Sequence, residues 1–352
     1  MKCRICKNTK SLLLTSLDHC VYSDGKRAPG IKLMFCDKCR CYSKNIDAKW
    51  LKNVSNNYQS NYEPSQVIKH DNSPYLARVL DVLEFIDQNA NYKSDKCLKI
   101  LDYGIGNGEF VNYALQKYPL SSFFGYDAYR HPGLDKLENT ERFIFDSSSQ
   151  RALGRKYNLI TMIQVLEHIT DCSRVLNELL NCLSDEGYLL IQIPCPYLNP
   201  IDLVIYDHAS HFSPSGCLHL LKSTKVDSNH ITFNTKKSNI KELLLAIHKT
   251  DSSSPIRKSK FNEILVEYKN PLDSLMDFKK RIRALRGISN KYIFGTSYSS
   301  KWTQNELQDG TSLCDTLSMP KLECNTVIIM PFPWQQAERI AKAHHIQNYI
   351  CI

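Results

Sequence analysis

Ile100-Leu-Asp-Tyr-Gly-Ile-Gly-Asn-Gly-Glu-Phe110 (ILDYGIGNGEF) joins an apolar strand, Leu98 to Leu101, to an acid, Asp102, and then to glycines at alternate positions, Gly104, Gly106 and Gly108. A helix-like segment, Phe110 to Lys117, follows. Glycines at a strand-to-helix turn let the chain reverse tightly and let a ligand lie against bare backbone. The dinucleotide fingerprint G-x-G-x-x-G is not met: the third glycine comes one residue early, and Glu109 stands in its place.

Working downstream, Phe123 to Tyr126 reads as a second strand ending at Asp127, nineteen residues beyond Gly108. An acid at the tip of the second strand is placed to accept two hydrogen bonds from a ribose diol. Phe143 to Phe145 then ends at Asp146, and the run Asn158 to Ile169 (NLITMIQVLEHI) forms the fourth strand and its tail. Val175, Leu176, Leu179, Leu180 and Leu183 recur at helical spacing before a turn at Asp185-Glu186-Gly187 and a fifth strand, Tyr188 to Ile193. This β-α-β alternation predicts a Rossmann-like, doubly wound parallel α/β sheet with its ligand crevice at the strand carboxyl ends. The D-x-G-x-G-x-G spacing resembles motif I of class I S-adenosylmethionine (SAM)-dependent methyltransferases, and the VLEHI tail fits that pattern too. The resemblance implies SAM as cofactor, with Asp102, Gly104, Gly106 and Gly108 at its methionine end and Asp127 on the ribose. Asp146 completes the set, and Gln164 and Glu167 lie near the methyl group.

A chain of 352 residues suggests two or three domains. No apolar run approaches the ~18 residues a membrane span requires, and the N-terminus lacks the apolar core of a signal peptide. The expectation is a cytoplasmic enzyme, in which the 14 cysteines are not a disulfide framework.

Four of those cysteines form two C-x-x-C knuckles, Cys3/Cys6 and Cys36/Cys39, separated by 29 residues. Two such pairs supply the four soft thiolates of a tetrahedral Zn²⁺ site. A hairpin or loop is expected between them, over Leu12 to Lys32, with Ala28-Pro29-Gly30 as its turn; Cys20 and Cys41 are alternative ligands. A closed four-thiolate site has no position for water, so this zinc is structural. Residues 1–50 hold eleven Lys/Arg against four Asp, a net +7 of the chain's +9. Such a module can grip phosphate. It lacks the aromatic–basic interleaving of a base-stacking platform, so a nucleic-acid partner is not expected.

The zinc module is expected over residues 1–50, a Tyr-rich linker or lid over 51–73, the methyltransferase domain over 74–250, a basic linker and solvated helix over 251–284, and a small Rossmann-like domain over 285–352. Asn53 to Asn72 reads as loop by composition and carries Tyr58 and Tyr62. Pro74 opens a helix with an apolar stripe of Leu76, Val79, Leu80, Leu83 and Ile86. Near the C-terminus, Tyr292 to Phe294 before Gly295 and Thr326 to Met330 read as strands, with a last helix near Gln335 to His344.

After the fifth strand, three prolines within Pro194 to Pro200 forbid a regular element, so the segment should project as a loop over the cofactor edge. It delivers Asp207-His208 and His211-Phe212-Ser213 just before a helix that Ser213-Pro214 can cap. Methyl transfer from a sulfonium requires a positioned acceptor and a base for its proton, and imidazole suits that task near neutrality. His208 is the base candidate and Asp207 its orienting neighbour; a capping or core histidine is the structural alternative.

Taken together, the knuckles, the Tyr-rich linker, the SAM core and the loop Asp207-His-Ala-Ser-His-Phe-Ser213 resemble the deoxysugar C-methyltransferases, which act on nucleotide-linked keto-sugars. That family reads E-H-L-S-Y-F-S at this loop, with Asp here for Glu and His for Tyr. The resemblance implies that His208 is the base, that Asp207 supports it, and that Tyr62 or Tyr58 lies near the sugar. The acid usual after the fifth strand is replaced by Pro194-Cys195-Pro196. The loop equally resembles methyltransferases of surface-polysaccharide synthesis, which leaves C- and O-methylation both open. An RNA methyltransferase gripping through the zinc module, and a non-catalytic SAM-fold binding protein, are the other classes to be tested.

Overall fold

The computed structural model describes residues 2–10, 12–59, 74–90, 92, 95–224, 231–233, 242–249, 270–294, 298–314, 326–330, 341–342 and 346–351, with side chains of the helix at 74–90 described from residue 79. Tyr62, Gly295 and most of the last expected helix lie outside them.

The core sheet grows from the glycine-rich stretch. Strand β6 (Lys99–Tyr103) pairs in parallel with β7 (Ser122–Tyr126) on one side and β9 (Tyr157–Ile163) on the other. Beyond these lie β8 (Phe143–Asp146) and β10 (Leu183–Pro194), also parallel to their neighbours. The sheet is not wholly parallel, as the β-α-β pattern predicted. Strand β13 (Glu242–His248) runs antiparallel beside β10, and β12 (Ile231–Phe233) antiparallel to β13, for an order of β12-β13-β10-β9-β6-β7-β8. These two strands lack the acidic ends that mark β6, β7 and β8 and the glycine run that follows β6.

Two faces of this sheet bury separate apolar sets, as the alternation of side chains along a strand dictates. Ile100, Leu159, Leu190 and Leu244 pack under Val79, Val82, Leu83 and Ile86 of α2 (Pro74–Ala90) and Phe110, Val111 and Ala114 of α3 (Glu109–Lys117). Leu101, Met162, Leu189 and Ile191 meet Val175, Leu176, Leu179 and Leu180 of α6 (Cys172–Asn181) on the other side. The α2 stripe is rotated from its expected setting: Leu80 is half exposed and Val82 is buried. Two short helices, α4 (Asp135–Glu138) and α5 (Ser149–Leu153), flank β8.

The N-terminal module is a second sheet. Strand β1 (Leu12–Leu17) pairs antiparallel with β4 (Ile31–Cys36), with Leu17 opposite Ile31. Between them β2 (Cys20–Val21) and β3 (Arg27–Ala28) close a tighter hairpin. The expected hairpin is present, but its turn is Tyr22 to Lys26, where Gly25 has φ 80° and donates to the Tyr22 carbonyl, and not Ala28-Pro29-Gly30. Gly30 instead allows close approach to β1: a Cβ there would meet the Leu17 carbonyl at 2.9 Å. Helix α1 (Ala48–Gln59) starts on Asp47, whose carboxylate accepts from Trp50 N, so residues 53–59 are helical where loop was expected.

The fourth strand of this module comes from far along the chain. Strand β11 (Ser210–His211) pairs with β5 (Tyr42–Lys44), giving the order β1-β4-β5-β11. The segment expected to project is therefore buried, with Asp207, Ser210, Phe212 and Ser213 all fully covered. Its prolines shape a 3-10 turn (Pro200–Val204), and Ser213 caps α7 (Pro214–Lys222) by accepting from Gly216 N at 2.9 Å.

The C-terminal part is a parallel sheet ordered β15-β14-β16-β17, from β14 (Lys291–Phe294), β15 (Ser312–Cys314), β16 (Val327–Met330) and β17 (Tyr349–Cys351). Helix α8 (Pro271–Ala284) is packed, not solvated as expected. Leu275, Phe278 and Ile282 make a stripe at helical spacing, and Phe278 stacks on Trp302 of α9 (Tyr298–Leu307). Among the described residues, no helix is long and apolar enough to cross a membrane.

Candidate active site and cysteine cluster

Each of the three glycines has its own reason to be one. Gly104, Gly106 and Gly108 all have positive φ (84°, 54° and 80°), where a side chain is strained. A Cβ on Gly104 would strike Val165, and one on Gly108 would strike Leu137, each at 2.3 Å; one on Gly106 would meet nothing within 4 Å. The first and third glycines thus serve packing, and the second faces open space. Gly106 N donates to Asp127 Oδ2 at 3.0 Å, while Tyr129 N donates to Asp127 Oδ1 at 3.1 Å. The loop and the acid at the second strand tip are joined around that space.

Asp102 and Asp146 sit differently from expectation. Asp102 is buried, and its Oδ1 accepts from Thr161 Oγ1 at 2.7 Å across the β6–β9 pair. Burial pushes its carboxyl up to about 7. It braces the strand pair below the loop. Asp146 has its two oxygens taken by Arg151 Nε at 2.6 Å and an Arg155 guanidinium nitrogen at 2.9 Å, an ion-pair cluster at the β8 end. Gln164 is where the fourth strand predicted. Its φ of 58° is unusual for a non-glycine residue, and its buried Nε2 has no hydrogen-bond partner among the described residues.

The histidines of the buried loop converge on a carboxylate that the sequence reading passed over. His208 Nδ1 donates to Asp202 Oδ1 and His211 Nδ1 donates to Asp202 Oδ2, both at 2.7 Å. A carboxylate accepts only, so each ring carries a proton on Nδ1. Burial alone would raise Asp202, but His211 and His208 more than offset it and hold the carboxyl well below its ordinary range. Burial lowers His211 to about 4, so it is neutral in the fold. Asp202 precedes His208 by six residues and His211 by nine; that D-x₅-H-x₂-H spacing was the available signal.

Asp207, expected to orient His208, does something else. Its carboxylate accepts from Ser23 N at 2.8 Å, Ser23 Oγ at 2.6 Å and Tyr58 OH at 3.2 Å. Being adjacent in sequence, the two side chains leave the backbone in different directions, and Asp207 points into the N-terminal module. Its carbonyl accepts from His168 Nδ1 at 3.1 Å. His168 and Glu167 lie on the 3-10 turn Leu166–His168 after β9, and Ala209 N donates to the Glu167 carbonyl at 2.7 Å. The β9 end and the histidine loop are thus tied by backbone bonds. Tyr58 also stacks on Tyr129 at 5.7 Å, beside Asp127. Lys44, fully buried, donates to the Ile205 carbonyl, and burial lowers it to about 8.

Cys3, Cys6, Cys36 and Cys39 come together with their sulfur atoms all within 4.8 Å of one another. The Cys3–Cys39 and Cys6–Cys36 sulfur distances are both 3.6 Å. Zn–S bonds of about 2.3 Å in a tetrahedron give S–S edges of roughly 3.8 Å, so the set fits the ion. Both knuckles turn through a residue of positive φ, Lys7 (60°) and Arg40 (56°), placed just after the second cysteine of each pair. Cys20 and Cys41 stand apart: Cys20 Sγ faces the Leu17 carbonyl, and Cys41 Sγ accepts from Ser213 N.

Residues 68–237 match the family model described as a methyltransferase domain. Over these residues the chain carries a methyltransferase domain. Among solved structures, it is similar to the plantazolicin methyltransferase BpumL in complex with a desmethylPZN analogue and SAH (17% identity, 58% of this chain, 94% of that chain, TM-score 0.42). It is also similar to the Burkholderia thailandensis 1,6-didemethyltoxoflavin-N1-methyltransferase (16%, 61%, 98%, 0.43) and to the CurJ carbon methyltransferase (12%, 50%, 54%, 0.39). Among curated proteins there is no match.

Asp102 supplies a prediction that separates bracing from ligand contact. Its raised pKa means the folded state holds a proton that the unfolded chain releases, so its contribution to stability falls as pH rises from about 4 to about 7. Asp102→Asn, which keeps the acceptor for Thr161, should stabilise the fold by roughly 2–3 kcal/mol more at pH 8 than at pH 5. Denaturant unfolding at the two pH values measures this; equal effects would show that the carboxyl is not perturbed.

Proposed function

We propose that the protein transfers the methyl group of SAM to an activated sugar or a surface-glycan precursor, and that His208 takes the acceptor's proton. The observation that carries the mechanism is the Asp202–His208 bond, which fixes the ring and leaves Nε2 as its basic atom. The acceptor class rests on the resemblance of the 207–213 loop and the paired cysteines. SAM supplies an electrophilic methyl group on a sulfonium. The bare face of Gly106 leaves room for it, and Asp127, already joined to that glycine, retains lone pairs for a ribose diol. Gln164, whose buried Nε2 has no hydrogen-bond partner among the described residues, completes the proposed cofactor edge. Asp202 orients His208; Asp207 holds the loop to the N-terminal module.

The four clustered cysteines are proposed to hold one structural Zn²⁺. Their second knuckle is attached to the histidine loop, because Ser213 Oγ and Ser215 Oγ donate to the Cys39 carbonyl at 2.6 and 2.9 Å. Zinc in this position sustains the loop that carries the base without touching the acceptor.

Three outcomes test the reading. Gly106→Val should abolish SAM binding in calorimetry, and Asp127→Ala should weaken it by roughly 1.5–3 kcal/mol through lost charge-assisted hydrogen bonds; wild-type affinity in both moves the cofactor elsewhere. Metal analysis should find about one zinc per chain, lost in Cys36→Ser together with amide-exchange protection at 205–213; a metal-free protein with full protection there refutes the structural zinc. His208→Asn should retain SAM affinity and lower kcat by about 10²–10⁴. If the acceptor is a keto-sugar, its C–H next to the carbonyl should exchange with D₂O when a methyl-lacking SAM analogue is bound. Methylation of a hydroxyl without exchange assigns O-transfer, and unchanged turnover in His208→Asn removes the base.

A further inference from the structure

Glu167 and His168 enter the histidine cluster from the turn after β9, and His208 enters it from the buried loop. One ligand-capable atom from each lies within 4.8 Å of the other two. Two imidazoles and one carboxylate on converging elements are a ligand set for a first-row divalent transition ion.

The surroundings of the rings match what such an ion needs. A metal-ligating histidine usually donates its other ring N–H to a carboxylate or a backbone carbonyl, which fixes the tautomer. His208 donates to Asp202 at 2.7 Å, and His168 to the Asp207 carbonyl at 3.1 Å. In both rings Nδ1 is engaged, and Nε2 is the nitrogen left for a ligand. The two segments cannot drift apart, because Ala209 N is bonded to the Glu167 carbonyl at 2.7 Å. Formal charge points the same way. Glu167, Asp202 and Asp207 are all buried acids, and Lys44 is the buried cation whose charge reaches Asp202 and Asp207. Buried acids around the rings are the surroundings that complement a dication.

We propose that Glu167, His168 and His208 form a second metal site, separate from the four cysteines, that binds a divalent transition ion and silences the enzyme. The inhibitory role rests on His208 being the base. An ion on Nε2 occupies the lone pair that takes the acceptor proton, so the two states exclude each other. Imidazole-rich ligation favours Zn²⁺ or Co²⁺ over Mg²⁺ or Ca²⁺, and the lack of sulfur separates this site from the cysteine cluster.

The test is a Co²⁺ titration of the full chain with zinc already on the cysteines. One further equivalent should bind, with weak d–d bands of nitrogen and oxygen coordination and no sulfur-to-cobalt charge transfer. Glu167→Gln and His168→Asn should each lose that equivalent, and Asp202→Asn should weaken it about 10–100-fold through the outer shell. Turnover should fall as the ion saturates and return with a chelator. No further equivalent, unchanged binding in both ligand variants, or turnover that rises with the ion would overturn the proposal. SAM affinity measured on the same samples keeps the two readings distinct: the stoichiometry needs no acceptor, and its failure leaves the methyl-transfer reading intact.

Discussion

The arrangement of the site depends on one strand pairing, that of β11 with β5. Two residues, Ser210 and His211, complete the N-terminal sheet opposite Ser43 and Tyr42. Around that short ladder the module takes hold of the loop at every turn. Tyr206 N donates to the Val21 carbonyl at 2.7 Å, Lys44 N to the Ala209 carbonyl at 3.1 Å, and Trp50 Nε1 to the Tyr206 carbonyl at 3.0 Å. The loop's backbone could not be buried without such partners, because unpaired amide groups away from water are costly. The N-terminal module is therefore the wall that makes a buried histidine loop possible, and the methyltransferase sheet supplies the opposite wall through Glu167 and His168.

Polar groups are concentrated in this seam while the sheet faces are apolar. Acids that would be expensive alone are held by several donors each: Asp207 by Ser23 and Tyr58, Asp202 by two imidazoles. Removing one partner leaves the other buried and unpaired, so the seam is expected to tolerate few substitutions. It also specifies geometry. His208 and His211 share one planar carboxylate, and that fixes the orientation of both rings.

The glycine-rich turn after the first core strand was legible because its physics is local. A strand, an acid, glycines and a helix occupy consecutive positions, and the backbone of Gly106 needs no distant partner to explain it. The knuckles were legible for the same reason: C-x-x-C is a local turn, and the structure brings together the four predicted sulfurs and leaves Cys20 and Cys41 out. Asp202 was not legible, because its meaning comes from a fold-back in which prolines create the turn that aims it. The sequence neighbour Asp207 drew the orienting role by adjacency and by its place in the loop resemblance. The antiparallel strands β12 and β13 and the packing of helix α8 were missed because tertiary burial, not a local punctuation signal, decides them. Leu275, Phe278 and Ile282 show the helical period, but basic residues between them masked the stripe.

Ser23 and Asp207 are 184 residues apart in the chain, yet their bond joins the first module to the loop. A ribosome delivers these partners in order, so β5 is made long before β11 exists to cover its edge. Until then the N-terminal module has an open strand and an unfilled wall, the state in which sheets pair with the wrong neighbour. A chain stopped after the first module would carry the knuckles but present an unfinished surface. Synthesis of this protein is thus a matter of timing: its beginning becomes whole only when its middle has arrived.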